Sequence, residues 1–460
     1  MTIAVSPLRT ELRATLTLAT PLAAANLAMM VMGITNAIMV GHLGGAALAA
    51  AGLGGAIYFT LCMICQGVLN AVAPLAAHAI GSGSREAAGL IAGAGITMAA
   101  LLALPVLVLL SLAPLLLHAI GYDPALADSI SGYLGAIRWG APAFLLSAAL
   151  RAMLSASGRP RVIMVVLLCG IPANAALSWI LIFGHLGLPA LGIAGSGWST
   201  AAIQWTMMLS LAGYMALAPG HAPVRFGLRV FREFGSILRV GLPIGGLFAM
   251  EVGVFNTTGL LMGLFGADAL GAHQLAINVA SFTFMVPLGI AQAAVVRVAL
   301  HLGAGEPAAA VRAGRTAVAL AALCMLGASA LLVASPRTII GLYLDVADPV
   351  NRGVVPIAVS LIMIAALFQV LDGVQVVAVG ALRGYRDTAV PMLIAAVGYW
   401  VVGFTGGWAL AFPLGWGPVG LWCGLALGLA VVACALTLRL ELRGRPRLRG
   451  AIPSPQPAAL

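Results

Sequence analysis

Lysine is absent from all 460 residues, and charge of any kind is scarce, at 8% of the chain. Soluble globular proteins carry about 25% charged residues, so a water-soluble fold is excluded. All 23 basic residues are arginine, against 13 acids, and the net charge is +10. Such a balance could suit nucleic acid, but the arginines fall almost wholly in alternate connections between apolar runs, and no nucleic-acid partner is expected. The six cysteines (62, 65, 169, 324, 423, 434) all lie inside apolar runs. "CMIC" is a lone C-x-x-C without a second ligand pair, so all six read as small hydrophobes. There is no nucleophile elbow, no H-E-x-x-H and no Walker A sequence. An enzyme is therefore not expected, and no cofactor is called for.

What fills the chain instead is apolar sequence, 62% of residues at a mean hydropathy of +1.08. Long apolar runs recur from one end to the other, which makes the whole chain a polytopic helical membrane protein. Twelve transmembrane helices are expected at about 14–41, 48–79, 87–119, 129–155, 161–184, 191–218, 240–265, 269–302, 309–335, 354–382, 388–412 and 418–438. Arginines 9 and 13 precede the first, and later ones cluster after each even-numbered span, including Arg159, Arg225, Arg312 and Arg383. The opposite loops hold no basic residue, apart from "LYLDVADPVNR" with Arg352 and nearby Arg337. By the positive-inside rule both termini are cytoplasmic. The tail "RLELRGRPRLRG" then reads as a topological anchor.

The halves repeat. "TPLAAANLAMMVMGITNAIMVGHLGG" lies over "LPIGGLFAMEVGVFNTTGLLMGLFGA", with Pro21 on Pro243, Thr35 on Thr257 and Gly41 on Gly263. The register holds to Gly81 and Gly303, and "GIAG" at 192–195 matches "GPVG" at 417–420. The first span thus has an internal match, which argues against a cleaved signal peptide. Two parallel six-helix repeats imply a pseudo-twofold axis along the membrane normal, with a cavity near the midplane. The expected organisation is an N-terminal lobe at 1–218, a cytoplasmic connection at 219–239, a C-terminal lobe at 240–440 and an Arg/Pro-rich cytoplasmic tail at 441–460.

Only two acids lie deep in spans: Glu251 in the seventh and Asp372 in the tenth. An intramembrane carboxylate costs roughly 2.5–3.5 kcal/mol on insertion scales and marks an ion pathway. In the repeat Glu251 pairs with Met29, so the acid has no counterpart. Thr258 follows Glu251 by seven residues on the same helix face. Gln369, Asp372 and Gln375 recur every third residue, and Gln274, Asn278 and Ser281 form a further stripe. Carboxylate, amide and hydroxyl oxygens suit Na⁺, and a buried acid also suits H⁺, so both ions stay open, with Glu251 and Asp372 as the candidate Na⁺ ligands. In the first half Asn36, Asn174 and Ser178 are the candidate cavity groups.

Three segments carry a resemblance: "PANAALSWILIFGHLGLPALGIAGSGWST" (172–200), "GAHQLAINVASFTFMVPLGIAQAAVVRV" (271–298) and "ALRGYRDT" (381–388). In order and spacing the chain resembles, over nearly its full length, the multidrug and toxic compound extrusion (MATE) family in its bacterial NorM-like branch. The resemblance implies two six-helix lobes that export amphipathic, often cationic compounds by alternating access against inward Na⁺ or H⁺. It places functional acids at Glu251 and Asp372. Many members also carry an acid where Asn36 stands, and some where Ser178 stands; this chain has neither, which moves the expected coupling to the C-terminal half.

The expected protein is then a secondary antiporter of the bacterial inner membrane, partnered by small amphipathic compounds and membrane lipids. No obligate protein partner is expected, which suits a monomer. A lipid-linked precursor flippase is the alternative, but its cavity should hold several basic residues, and only Arg138 and Arg151 offer themselves. A membrane-embedded receptor or enzyme is the alternative of a different class, and it lacks a catalytic constellation.

Overall fold

The computed structural model describes residues 7–121, 123–218 and 223–449, with side chains as far as Gly444. Among the described residues there are twelve long helical rods: α1 (Pro7–Gly41), α2 (Gly45–Gly81), α3 (Arg85–Ile120), α4 (Pro124–Ala156), α5 (Pro160–Phe183), α6 (Gly192–Leu217), α7 (Val230–Gly263), α8 (Ala267–Gly303), α9 (Pro307–Ala334), α10 (Val354–Gly384), α11 (Ala389–Ala411) and α12 (Gly417–Arg449). Among the described residues there is no strand. Eleven rods are long and apolar enough to cross a membrane. The twelfth, α6, is long enough at 26 residues, but Ser196, Ser199, Thr200 and Gln204 make it more polar.

Local chemistry sets the ends. Ser84 accepts a hydrogen bond from the Ala87 N–H and Asp123 from the Leu126 N–H, which caps α3 and α4. Gly121 and Gly184 close α3 and α5 at φ 89° and 77°, a left-handed conformation that glycine enters without a Cβ clash. The seventh rod begins at Val230, ten residues before the apolar run, and α12 runs past Leu440 to Arg449. The α12 extension is tied by charge: Arg439 and Arg443 donate to Asp387, and Arg315 pairs with Glu441. Residues 450–460 of the expected tail and 219–222 of the expected connection lie outside the described residues. The remainder of that connection is laid on α3: the Arg225 N–H donates to the Gly89 carbonyl at 3.1 Å, and its guanidinium meets Glu86 at 2.7 Å.

The chain divides into two compact units. One comprises the chain as far as Ala23, residues 81–83 and everything from Ala249 on; the other comprises 24–80 and 84–248. The chain passes between units inside α1 and α7, shortly after the repeat-related Pro21 and Pro243. A helix-interior proline removes one backbone hydrogen bond and weakens the rod there. The first unit is packed by small residues, with Ala19, Ala291, Ala294, Ala317 and Ala321 around Ile290 and Val377. Between membrane helices, where lipid is as apolar as leucine, such close approach is a main source of attraction. The other unit buries Tyr58, Ile130, Ile137, Leu145 and Met153.

Candidate functional site

In the unit that holds the chain from Ala249 on, α7 brings Glu251 and α10 brings Asp372 within range of one another's charge. The spacing of three on α10 has buried Gln369, Asp372 and Gln375 together, at 1%, 8% and 1% exposed. A third charge joins them. Arg383, near the end of α10, lies within range of Glu251. It follows Asp372 by eleven residues, about 16 Å along a helix. Glu251 therefore lies between a like charge and an opposite one. With all three ionised, the group is one positive charge short of neutrality.

A fourth side chain comes from α11, where Val397–Phe404 winds as a π-helix. The wider turn presents Tyr399, 3% exposed, to all three charges and to Gln375. The next residue, Trp400, donates its indole N–H to the Met250 carbonyl at 3.2 Å, fixing the turn of α7 that carries Glu251. Such π segments inside α-helices are frequent at functional sites. Glycines bring this one against α12: a Cβ at Gly428 would sit 2.7 Å from the Gly403 Cα, so these two backbones touch.

The remaining candidates of this unit divide. Thr258 is buried, and its hydroxyl donates to the Val254 carbonyl at 2.8 Å, leaving its lone pairs available. Gln274 is exposed and faces Asn278 along α8, at 3.5 Å. Gln369 is different: both of its buried amide atoms lack a hydrogen-bond partner among the described residues. An orphaned amide on the same face of α10 as Asp372 offers a hard oxygen donor of the kind Na⁺ takes. Among the described residues no cluster of three or more His, Cys, Asp or Glu occurs, so a transition-metal centre has no ligand set here.

The other unit holds a neutral network. Asn174 donates to the Asn36 amide oxygen at 2.7 Å, and Ser178 donates to the same oxygen at 3.0 Å. The Asn36 amide nitrogen donates to Thr200 at 3.1 Å, and Ser178 and Ser199 hydroxyls are 2.8 Å apart. The three expected residues thus come together, with Ser199 and Thr200 of α6 added. Asn36→Ala removes the shared acceptor, and the expected outcome is a stability loss of about 1–2 kcal/mol. Dye-efflux assays at varied pH and Na⁺ should give the wild-type profile.

The MatE family model matches residues 21–180 and again 243–409, once in each half and starting on the paired prolines. The chain belongs to the MatE family. It is similar to the probable multidrug resistance protein NorM of Mesorhizobium japonicum, at 41% identity over 95% of each chain. It is also similar to the multidrug resistance protein NorM of Burkholderia vietnamiensis, at 42% identity over 93% of each. In fold it is similar to the crystal structure of the eukaryotic MATE transporter AtDTX14, at a TM-score of 0.87 and 21% identity, covering 97% of this chain and 100% of that one. MatE proteins are membrane transporters, not enzymes.

For this MatE chain the sequence named both acids but passed over Arg383 and Tyr399. Arg383 looked like one of the topology-setting arginines after the tenth span. The signal that it does more is its place before Gly384, still inside the helix. Tyr399 had no signal beyond lying in an apolar run, since a π-helix has no period that the sequence displays.

Proposed function

We propose that the protein exports amphipathic, often cationic compounds from a bacterial cell across the cytoplasmic membrane, by antiport with Na⁺ or H⁺. The observation that carries this reading is the group of Glu251, Asp372 and Arg383, two negative charges against one positive. One cation, a proton or Na⁺, restores neutrality, which supports one coupling ion bound per cycle. Tyr399 and Gln369 supply further oxygens to that ion. Its binding and the binding of the exported compound favour different conformations, as antiport by alternating access requires; equal affinity for both states would shift nothing. The neutral Asn36 network supports coupling in one unit only. The arginine-rich connections support cytoplasmic termini, and the named relatives support multidrug compounds as the cargo.

The test is ion movement driven by drug in proteoliposomes, with Na⁺ and pH gradients varied separately. Drug addition is expected to move one of the two ions in the opposite direction. Drug transport indifferent to both gradients would overturn antiport.

A further inference from the structure

A cation without an acid remains in the other unit. On α4, residues 147–150 and 152–156 are all buried, and Arg151 between them is the one that reaches accessible surface. Its Nη1 meets the Met29 sulfur at 3.0 Å. Among the described residues no carboxylate pairs with it, and no other charge acts on it. A thioether is a weak acceptor for a group with five donors, and a charge taken out of water calls for an opposite charge and hydrogen bonds.

The repeat says what is missing. Met29 occupies the position of Glu251, and Glu251 has Arg383 within range. The two arginines come from corresponding rods, α4 and α10, the fourth of each half. Gly158 at φ 71° and Arg386 at φ 59° mark the same left-handed turn after those rods. Arg151 stands seven residues before the first and Arg383 three before the second. The difference of four is one helical turn, so both point from the same face. Each unit therefore brings an arginine from its fourth rod toward the same position on its first, and only one unit provides an acid there.

We propose that Arg151 is an anion subsite that takes the carboxylate of zwitterionic amphipathic compounds, the ligand supplying the acid that Glu251 supplies in the other unit. Met29, unbranched and polarisable, gives the adjoining apolar contact and adapts to ligand shape. The inference rests on the exporter reading and assigns within it the residue that meets a compound's carboxylate.

The test uses two dyes that differ only there: rhodamine 110, a free acid, and rhodamine 123, its methyl ester. Binding to the purified full-length protein is read by fluorescence anisotropy. Wild type is expected to favour the acid, and Arg151→Gln should weaken the acid by about tenfold, as for a lost charge-assisted hydrogen bond, with the ester unchanged. Met29→Glu, which places an internal carboxylate beside Arg151, should remove the preference for the acid over the ester, whereas Met29→Gln should leave that preference intact. Ester binding also reports that each variant is folded. Normal ester binding by wild type with no preference for the acid, or equal losses of both dyes, overturns the subsite and leaves the exporter reading standing. Failure of wild type to bind either dye overturns both.

Discussion

Asp372→Asn should cut ion-driven export of ethidium about 5- to 150-fold while leaving the protein in the membrane, and Glu251→Gln should come close to it. An amide keeps the shape of the carboxylate and removes the charge that is exchanged for a proton or Na⁺. Coupling free energies between two ligands run about 1–3 kcal/mol, or about 5- to 150-fold in affinity, and the loss should fall in that range. Asp372 and Glu251 see one another, but only Glu251 also lies beside Arg383. Arg383→Met should therefore act with the opposite sign. It leaves two negative charges uncompensated, so half-maximal coupling is reached at lower ion concentration and the ion leaves more slowly. Efflux of ethidium from energised cells, normalised to protein in the membrane, decides the first pair. Ion titration in proteoliposomes decides the third. Full export by well-expressed Asp372→Asn would sink the coupling proposal, and an unchanged titration in Arg383→Met would remove the arginine from it.

The largest stability effect is expected at a different charge cluster. Glu11 of α1 accepts from Arg297 of α8 through both carboxylate oxygens, at 2.9 and 2.6 Å, with side chains 8% and 17% exposed. His301 lies 2.9 Å from the same guanidinium and 2.8 Å from Glu306, which extends the pair into a chain of four groups. Removing one partner of a buried ion pair leaves the other charge uncompensated, at a cost of about 3–5 kcal/mol. Glu11→Ala should lose that much, seen as a lower thermal midpoint of the purified protein. Adding Arg297→Met, which removes the stranded cation, should recover most of the loss. A double variant no more stable than the single one would mean that the carboxylate acts through packing and not through charge.

This cluster also shows where reading along the chain stops. Glu11 and Arg297 are 286 positions apart, and each looks like an ordinary end-of-span charge. Glu251 and Asp372 were legible for a different reason: in an apolar span a lone carboxylate is costly wherever it faces, so its presence alone carries information. Arginines near span ends carry no such signal, because topology and ligand binding place them in the same sequence context. Arg383 hid there, and Arg151 stood out only as a candidate cavity base. The stripe of Gln274 and Asn278 illustrates the reverse limit, since helical spacing put them on one face but did not say that Gln274 would stay exposed.

By itself the sequence determined the membrane class, the twelve rods, their duplication and the pair of intramembrane acids. Apolar length, arginine placement and a repeat at fixed register are properties of the chain read in order, and each has a local physical cost or gain. The tertiary structure alone decided what each arginine meets, Arg383 with Glu251, Arg151 with Met29 and Arg297 with Glu11, and turned Tyr399 inward on a π-helix. Electrostatic interaction depends on distance and burial between elements far apart in sequence. Neither quantity exists until the helices pack.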